Sequence, residues 1–263
     1  DEDRDGIAAV WSVATTALVV ITGLAWLASP QIFHLLSISP SATVDVETYR
    51  AAGTALTRIF VVQIFFYGVP ALSSGLLNAQ RRFFAAAWSP ALANLVAIAS
   101  FLLLAQVVDG DVPSINDVLS SNSVRLTLGL GTTVGIALMA TIVVVAAVRA
   151  GVLPTPSFDL RHPAVRELMR MSGWAVGYIA ANQAALVVVK NLAEPGSGRL
   201  DAYAKAMTIF QLPHGLLAVT IATTTTPLLA RAASALEATA FRDHFVRGAR
   251  TTLALVVAPS IVL

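Results

Sequence analysis

The sequence has no cysteine and few charged residues. The absence of cysteine among 263 residues excludes disulfide bonds and thiolate metal sites. Charged residues make up 12% of the chain, whereas a soluble domain carries about 25%. The net charge of +2 gives no reason to expect a nucleic acid as partner. With hydrophobic residues at 56%, these values exclude an ordinary soluble protein and predict a polytopic membrane protein.

The sequence also lacks the motifs of common enzymes. It has no Gly-rich phosphate loop, no HExxH and no GxSxG. The acidic stretch 109–117 lacks the spacing and the closing Glu of an EF-hand. The four histidines fall in four separate segments, at His34, His162, His214 and His244. We therefore predict no catalytic residue, no metal site and no cofactor.

A hairpin of two apolar stretches, 59–80 and 83–108, surrounds Arg81 and Arg82. Neither stretch contains a charged residue. Each is long enough to cross a bilayer, since a transmembrane helix needs about 20 apolar residues. The two arginines predict that the turn between the spans is cytoplasmic, because Lys and Arg concentrate on that side.

Apolar segments recur along the whole chain. We count seven, at 7–27, 54–80, 83–108, 126–148, 171–189, 206–230 and 251–263. The last is too short to span a membrane. Because the chain also starts on DEDRDG and ends within this apolar run, we interpret it as an internal fragment. The predicted fold is all-α, a polytopic transmembrane helix bundle with about six full spans and a truncated seventh.

Prolines and basic residues suggest how these spans are arranged. Pro154, Pro156 and Pro163 favour a boundary between two bundles, so we divide the chain into domains 1–150 and 151–263. Most Lys and Arg fall at the start of the chain and in alternate links after it: Arg4, Arg81, Arg82, Arg149, Arg161, Arg166, Arg170, Arg231, Arg242, Arg247 and Arg250. This bias predicts that the residue 1 end is cytoplasmic.

Polar side chains within the spans are candidate site residues, because placing them in lipid is costly. The basic ones either extend to the lipid headgroups or face a cavity. The amide side chains have two interpretations: they cap or join helices, or they contact a substrate. The same two interpretations apply to Gln63. The candidate substrate-binding residues are Arg58, Lys190, Lys205, Gln183, Asn78 and Asn94.

The hairpin and a later proline-containing stretch resemble one known family. In the hairpin, a Leu-Asn-Ala turn and an aromatic residue precede a proline and an asparagine; the matching positions are Leu77, Asn78, Ala79, Phe83, Pro90 and Asn94. In FQLPHGLLAVTIATTTTPLLARAAS they are Leu212, Pro213, Gly215, Thr223 and Pro227. The chain thus resembles the MurJ/MviN lipid II flippases of the multidrug/oligosaccharidyl-lipid/polysaccharide exporter superfamily.

The resemblance implies two six-helix bundles around a central cavity, plus two further helices. This chain would hold the third to sixth spans of the first bundle and the start of the second. The implied function is translocation of lipid II across the bacterial cytoplasmic membrane by alternating access, as a transporter rather than an enzyme. The implied partners are lipid II, membrane lipids and possible cell-wall synthesis proteins, without nucleic acid.

One departure from the family pattern leaves alternatives open. Where the family often has Tyr-Ala-Asp-Arg, this chain has Tyr203 and Ala204 followed by Lys205 and Ala206. Lys205 is expected to replace the basic residue, and the acidic one has no counterpart. The alternatives are an exporter of another polyprenyl-linked saccharide or of a drug, and a catalytically silent membrane scaffold for cell-wall synthesis proteins.

Overall fold

A computed structural model describes residues 2–108, 113–213, 215 and 219–262. His214 and residues 109–112 of the acidic stretch therefore lie outside the described residues. Within that description the chain is helical without strands, which confirms the all-α prediction. The helices are α1 (Glu2–Leu27), α2 (Ser29–Leu36), α3 (Val46–Phe60), α4 (Gln63–Ala79), α5 (Phe84–Val107), α6 (Ile115–Ser120), α7 (Asn122–Arg149), α8 (Pro163–Leu192), α9 (Arg199–Pro213), α10 (Val219–Ser234) and α11 (Ala238–Val262).

The described part contains five helical stretches that are long and apolar enough to cross a membrane. They are Arg4–Leu27, Val46–Ala79, Phe84–Val107, Asn122–Arg149 and Pro163–Leu192. Each contains or overlaps one of the first five predicted segments. The prediction of a multi-pass helical protein is thereby confirmed.

The chain divides into two compact units, Asp1–Gly196 and Ser197–Leu263. The sixth predicted span, 206–230, falls in the second unit on α9 and α10, which have 15 and 16 residues. Residues 214 and 216–218 between them lie outside the description, so this sixth crossing stays a prediction. The seventh segment belongs to α11. The domain boundary at 150/151 concerns the two bundles of an exporter and also stays a prediction.

The second span consists of two helices rather than one. Asp45 begins α3 as its N-cap, and its side chain accepts a hydrogen bond from the Thr48 N–H at 2.8 Å. The side-chain and backbone hydrogen bonds with Thr48 lower the pKa of Asp45 from its ordinary value of 3.8. A turn at residues 61–62 separates α3 from α4. The helix therefore starts earlier than the apolar segment 54–80, because a polar cap and not hydropathy sets its first residue.

Small residues allow α5 and α7 to pack closely. A Cβ atom built at Gly135 would lie 2.7 Å from the carbonyl oxygen of Ala93, and one built at Gly131 would overlap the side chain of Ser100. The Ser100 hydroxyl donates to the Thr127 carbonyl of α7 at 3.2 Å. Close backbone approach at glycines, supported by interhelical hydrogen bonds, is how helices associate in lipid.

One end of the first unit, called here the Arg81 end, gathers the α4–α5 turn, the end of α7 and the starts of α1 and α8. Leu77 is buried against Val143 and Ala147 there. The turn itself closes α4: Arg81 has a positive φ of 59°, and the Arg82 N–H donates to the Leu77 carbonyl at 2.9 Å. The start of the chain, the α4–α5 link and the α7–α8 link thus meet at the same end, as the distribution of Lys and Arg predicts.

The opposite end of the first unit, called here the Asn191 end, joins α2, the start of α3 and the end of α8. The ring of Phe33 in α2 packs at a tilt against that of Tyr49 in α3, with a centroid distance of 5.4 Å. The Ser41 N–H donates to the Pro195 carbonyl at 2.9 Å. Together these contacts place the chain from α2 to α3 beside the segment that follows α8.

Candidate functional site

α8 carries two of the predicted site residues along a surface that the first unit leaves uncovered. Every residue from 173 to 186 is exposed, and Gln183 lies on this stretch. Trp174 and Tyr178 are also exposed, at 88% and 72%. Lys190 is half-buried nearer the end of the helix. The middle of α8 therefore offers an amide and aromatic rings to lipid, substrate or other helices.

Asn191, the neighbour of Lys190, makes the polar contacts at this end of α8. Its Oδ1 accepts hydrogen bonds from the N–H groups of Ile38 at 2.6 Å and Ser39 at 3.2 Å. Its Nδ2 donates to the carbonyls of Leu35 at 3.0 Å and Val187 at 2.9 Å. The Asn191 side chain thus caps the end of α2 from a different helix.

Sequence reasoning missed Asn191. The available signal is an amide in the last turn of an apolar helix, just before Glu194, Pro195 and Gly196. That signal predicts a helix end, but it does not identify a partner more than 150 residues away in the chain. Charge in the sequence therefore points to Lys190, whereas the hydrogen bonds are made by the amide of Asn191.

Arg58 lies over an aromatic ring at the end of α1. Its guanidinium carbon is 5.3 Å from the centroid of the Trp26 ring, and both side chains are exposed. A cation on the face of a tryptophan is attractive, and Trp and Arg at the same level typically mark the membrane interface. This geometry favours the interfacial interpretation of Arg58.

Lys205 belongs to α9 in the second unit and is ion-paired. Its Nζ lies 2.6 Å from Oδ2 of Asp201, one helical turn earlier, and both side chains are largely exposed. Asp201 thus places an acidic group beside Lys205, although it stands before Tyr203 and not after Ala204 as in the family pattern. The pair reduces the net positive charge that Lys205 can offer to an anion.

Asn78 and Asn94 lie on the hairpin with exposed side chains. The backbone carbonyl of Asn78 accepts the Arg81 N–H at 2.9 Å and helps to close the α4–α5 turn. Within the described part of the chain, neither amide side chain is paired by hydrogen bonding with another helix. Asn78 thus has a structural role through its backbone, and both side chains stay free for a partner.

Gln63 joins two helices instead of facing outward. Its Nε2 donates to Oγ1 of Thr133 at 2.8 Å and to Oγ1 of Thr132 at 3.3 Å. Thr133 is buried and itself donates to the Gly129 carbonyl at 2.8 Å. Of the two interpretations of Gln63, the structure supports the helix-joining one, between α4 and α7.

An apolar groove opens at the Arg81 end between α1, α4 and the start of α8. Its volume is about 660 Å³, and its walls include Gly6, Trp11, Gly75, Leu76 and His162. The His162 side chain accepts the Ala164 N–H at 3.2 Å and caps α8. In the described residues no group of three His, Asp or Glu side chains could hold a metal ion.

The predicted site residues do not form one cluster in the first unit. Asn78 lies at the Arg81 end, whereas Arg58 stacks on the terminal turn of α1 and Lys190 adjoins the Asn191 end. Gln183 lies between the ends of α8. The candidate residues are therefore spread along the length of the first unit.

Comparisons with known proteins agree on one family. The family model described as Lipid II flippase MurJ matches residues 1–263. A lipid II flippase MurJ of Burkholderia cenocepacia is 26% identical over 95% of this chain and 45% of that protein. Probable lipid II flippases MurJ of Rhizobium tropici and Rhizobium meliloti are 28% and 29% identical over 84% and 85% of this chain, and over 39% of each relative. This chain thus spans less than half the length of these relatives. Because the family model matches every residue, the chain belongs to the lipid II flippase MurJ family.

Proposed function

We propose that the full-length protein containing this chain flips lipid II across the bacterial cytoplasmic membrane by alternating access. The observation that carries the proposal is the match of the lipid II flippase family model to the whole chain. The five apolar helical stretches of the described part fit a multi-pass transporter. The protein acts without covalent chemistry, since flipping moves a lipid and breaks no bond.

The substrate explains why such a protein needs polar groups within its spans. Lipid II carries a diphosphate, and moving that charge through hydrocarbon unaided is prohibitively costly. Basic and amide side chains replace part of its hydration while the polyprenyl tail stays in lipid. Alternate exposure of such a path to the two faces then transfers the headgroup.

We further propose that the Arg81 end faces the cytoplasm. In the first unit this end carries Arg4, Arg81, Arg82, Arg149, Arg161, Arg166 and Arg170, whereas Arg50, Arg58, Arg125 and Lys190 belong to the other half. Lys and Arg concentrate in cytoplasmic links. On this orientation the groove between α1, α4 and α8 opens toward the cytoplasm and the Asn191 end lies outside.

The six candidate residues take different parts in this proposal. Gln183 on the exposed stretch of α8 and half-buried Lys190 nearer its end are proposed to contact the headgroup. Lys205 contributes once its pairing with Asp201 loosens, because a diphosphate then competes for the same ammonium group. Asn78, Asn94 and Arg58 are proposed as contacts nearer the membrane surfaces.

A complementation experiment in cells tests the proposal. The cell's own lipid II flippase is depleted, and growth is restored by the full-length gene or by its Lys190→Ala, Lys205→Ala double variant. We expect rescue by the wild type and failure of the double variant at equal membrane abundance. The Lys190→Arg, Lys205→Arg variant, which keeps both charges, is the matched control and should rescue.

The outcomes separate the activity from its residues. Rescue by both the wild type and the double alanine variant keeps the flippase and removes the two lysines from its path. Absence of rescue by a correctly inserted wild type contradicts the lipid II activity. In that case an exporter of another lipid or a scaffold is the better account.

A further inference from the structure

α8 is attached to the described remainder of the first unit mainly near its two ends. Before its start, the Ser157 N–H donates to Ser12 Oγ of α1 at 2.9 Å. At its end, Asn191 is bonded to the end of α2. The stretch between, 173–186, is exposed throughout. A helix packed along its length loses its whole interface when it moves, whereas a helix held at its ends loses only the end contacts.

The Asn191 amide has all four of its hydrogen-bonding positions occupied. Two lone pairs and two N–H groups are available to an asparagine side chain. Three of the four bonds cross to the end of α2, and the bond to Val187 is local. If Oδ1 and Nδ2 of Asn191 exchanged places, the amide N–H groups would face the N–H groups of Ile38 and Ser39. The contact therefore fixes one orientation of the amide. The three bonds to the end of α2 are exposed, so water competes for them and they can open reversibly.

The segment after Asn191 forms a tight turn. Glu194 has a positive φ of 51°, uncommon for a residue with a side chain, and Gly196 has a φ of 90°. A Cβ at Gly196 would lie 2.9 Å from Cγ1 of Val44, which keeps this segment beside the α2–α3 link. The second unit begins at Ser197. A movement of the second unit is therefore transmitted along the chain to this segment and to Asn191 before it reaches the rest of α8.

We propose that Asn191 is a releasable latch that holds the end of α8 against α2 and closes the Asn191 end of the first unit in one transport state. Releasing its three bonds to α2 leaves the bond between the Ser41 N–H and the Pro195 carbonyl as the tether just beyond α8. The end of α8 then shifts away from α2, while the contacts of Ser157 and His162 hold the other end. Asn191 is thus a positioning residue and does not contact the substrate. The inference rests on the proposed alternating access.

Thiol cross-linking in the full-length protein tests the latch directly. Residues 1–263 contain no cysteine, so pairs introduced there are not confused with others in this chain. Ser39→Cys with Leu192→Cys reports the Asn191 end, because the Ser39 N–H is bonded to Asn191. Asp5→Cys with Arg161→Cys reports the Arg81 end, where Gly6 lies against His162. Cysteines elsewhere in the protein are replaced beforehand.

Each pair is combined with Asn191→Ala or with a matched control, Asn182→Ala. Asn182 is also on α8, but within the described residues its Nδ2 donates only to its own helix, to the Tyr178 carbonyl at 2.9 Å. We expect Asn191→Ala to reduce cross-linking at the Asn191 end several-fold, with the Arg81-end yield kept or raised. Asn182→Ala should leave both yields at the wild-type level. Asn191→Asp keeps the acceptors and loses the donors, so its yield should be intermediate.

Three outcomes would overturn the latch: an unchanged yield at the Asn191 end, an equal fall at both ends, or an equal effect of Asn182→Ala. An equal fall at both ends would indicate a structural role alone. Lipid II flipping by the same variants separates this inference from the proposed function. A wild type that flips lipid II with unchanged cross-linking in Asn191→Ala refutes only the latch. A shifted yield in a protein that does not flip lipid II refutes only the activity.

Discussion

A methyl group added at Gly135 of α7 would meet the backbone of α5. The new Cβ would lie 2.7 Å from the carbonyl oxygen of Ala93 and 3.4 Å from its carbonyl carbon. A backbone oxygen cannot rotate away as a side chain can, so α5 and α7 would have to separate. Gly173 of α8 is the matched control, because a Cβ there has no neighbour within 4 Å.

The expected magnitude follows from two opposing effects. Alanine is favoured over glycine inside a helix by about 1 kcal/mol, and both substitutions gain this. Overpacking at Gly135 costs about 1–3 kcal/mol, whereas the substitution at Gly173 causes no overpacking. Gly135→Ala should therefore lower the free energy of unfolding by up to about 2 kcal/mol, whereas Gly173→Ala raises it by about 1 kcal/mol. The difference between the variants isolates the overpacking.

Thermal unfolding of the purified full-length protein in detergent measures this difference. The midpoint of Gly135→Ala should lie below that of Gly173→Ala by about 2–4 °C for each kcal/mol. Equal midpoints, or a higher midpoint for Gly135→Ala, would refute the close approach of α5 and α7. The double variant should show the sum of the single effects, because a Cβ built at Gly173 has no neighbour within 4 Å and so shares no contact with Gly135.

Three further predictions concern the helix contacts and caps. Gln63→Leu and Thr133→Val should each lower stability by about 0.5–1.5 kcal/mol, and a double-mutant cycle of unfolding midpoints should show that they couple; additive effects would contradict the bond. Arg81→Gly should stabilise the protein by about 1 kcal/mol because it relieves a positive φ, whereas Arg82→Gly, which removes the same charge, should not. The lowered pKa of Asp45 means that its cap stabilises α3 above the ordinary carboxyl pKa, and that this stabilisation is lost as the pH falls through the lowered pKa. The stability difference between wild type and Asp45→Ala should thus shrink from pH 7 to pH 3 in circular-dichroism melts, and a constant difference would argue against the cap.

The spans could be predicted from the sequence because hydropathy is a local property. Apolar runs of bilayer length and the basic residues between them led to the first five membrane helices and to the meeting of alternate links at the Arg81 end. The start of α3 at Val46 could not be read from hydropathy, since its first turns are polar and the Asp45 cap defines them. The turn at residues 61–62 has no Gly or Pro to indicate it.

The site was less predictable because its contacts are distant in sequence. Composition identified Lys190 as a candidate, yet the neighbouring Asn191 makes the bonds to α2, across more than 150 residues. The pairing of Lys205 was predictable in principle, because Asp201 precedes it by one helical turn. Gln63 showed two possible roles in the sequence, and only the position of Thr133 decided between them.

The most direct test of the lipid II activity uses purified full-length protein in vesicles. Fluorescent lipid II is reconstituted with the protein, and a membrane-impermeant reagent bleaches the headgroups that reach the outer leaflet. The account predicts that the bleached fraction rises from about half to nearly all the lipid in vesicles that contain the protein, and that an ordinary fluorescent phospholipid stays half-protected. Bleaching that stops at the protein-free level for lipid II, in vesicles shown to contain folded protein, would contradict it.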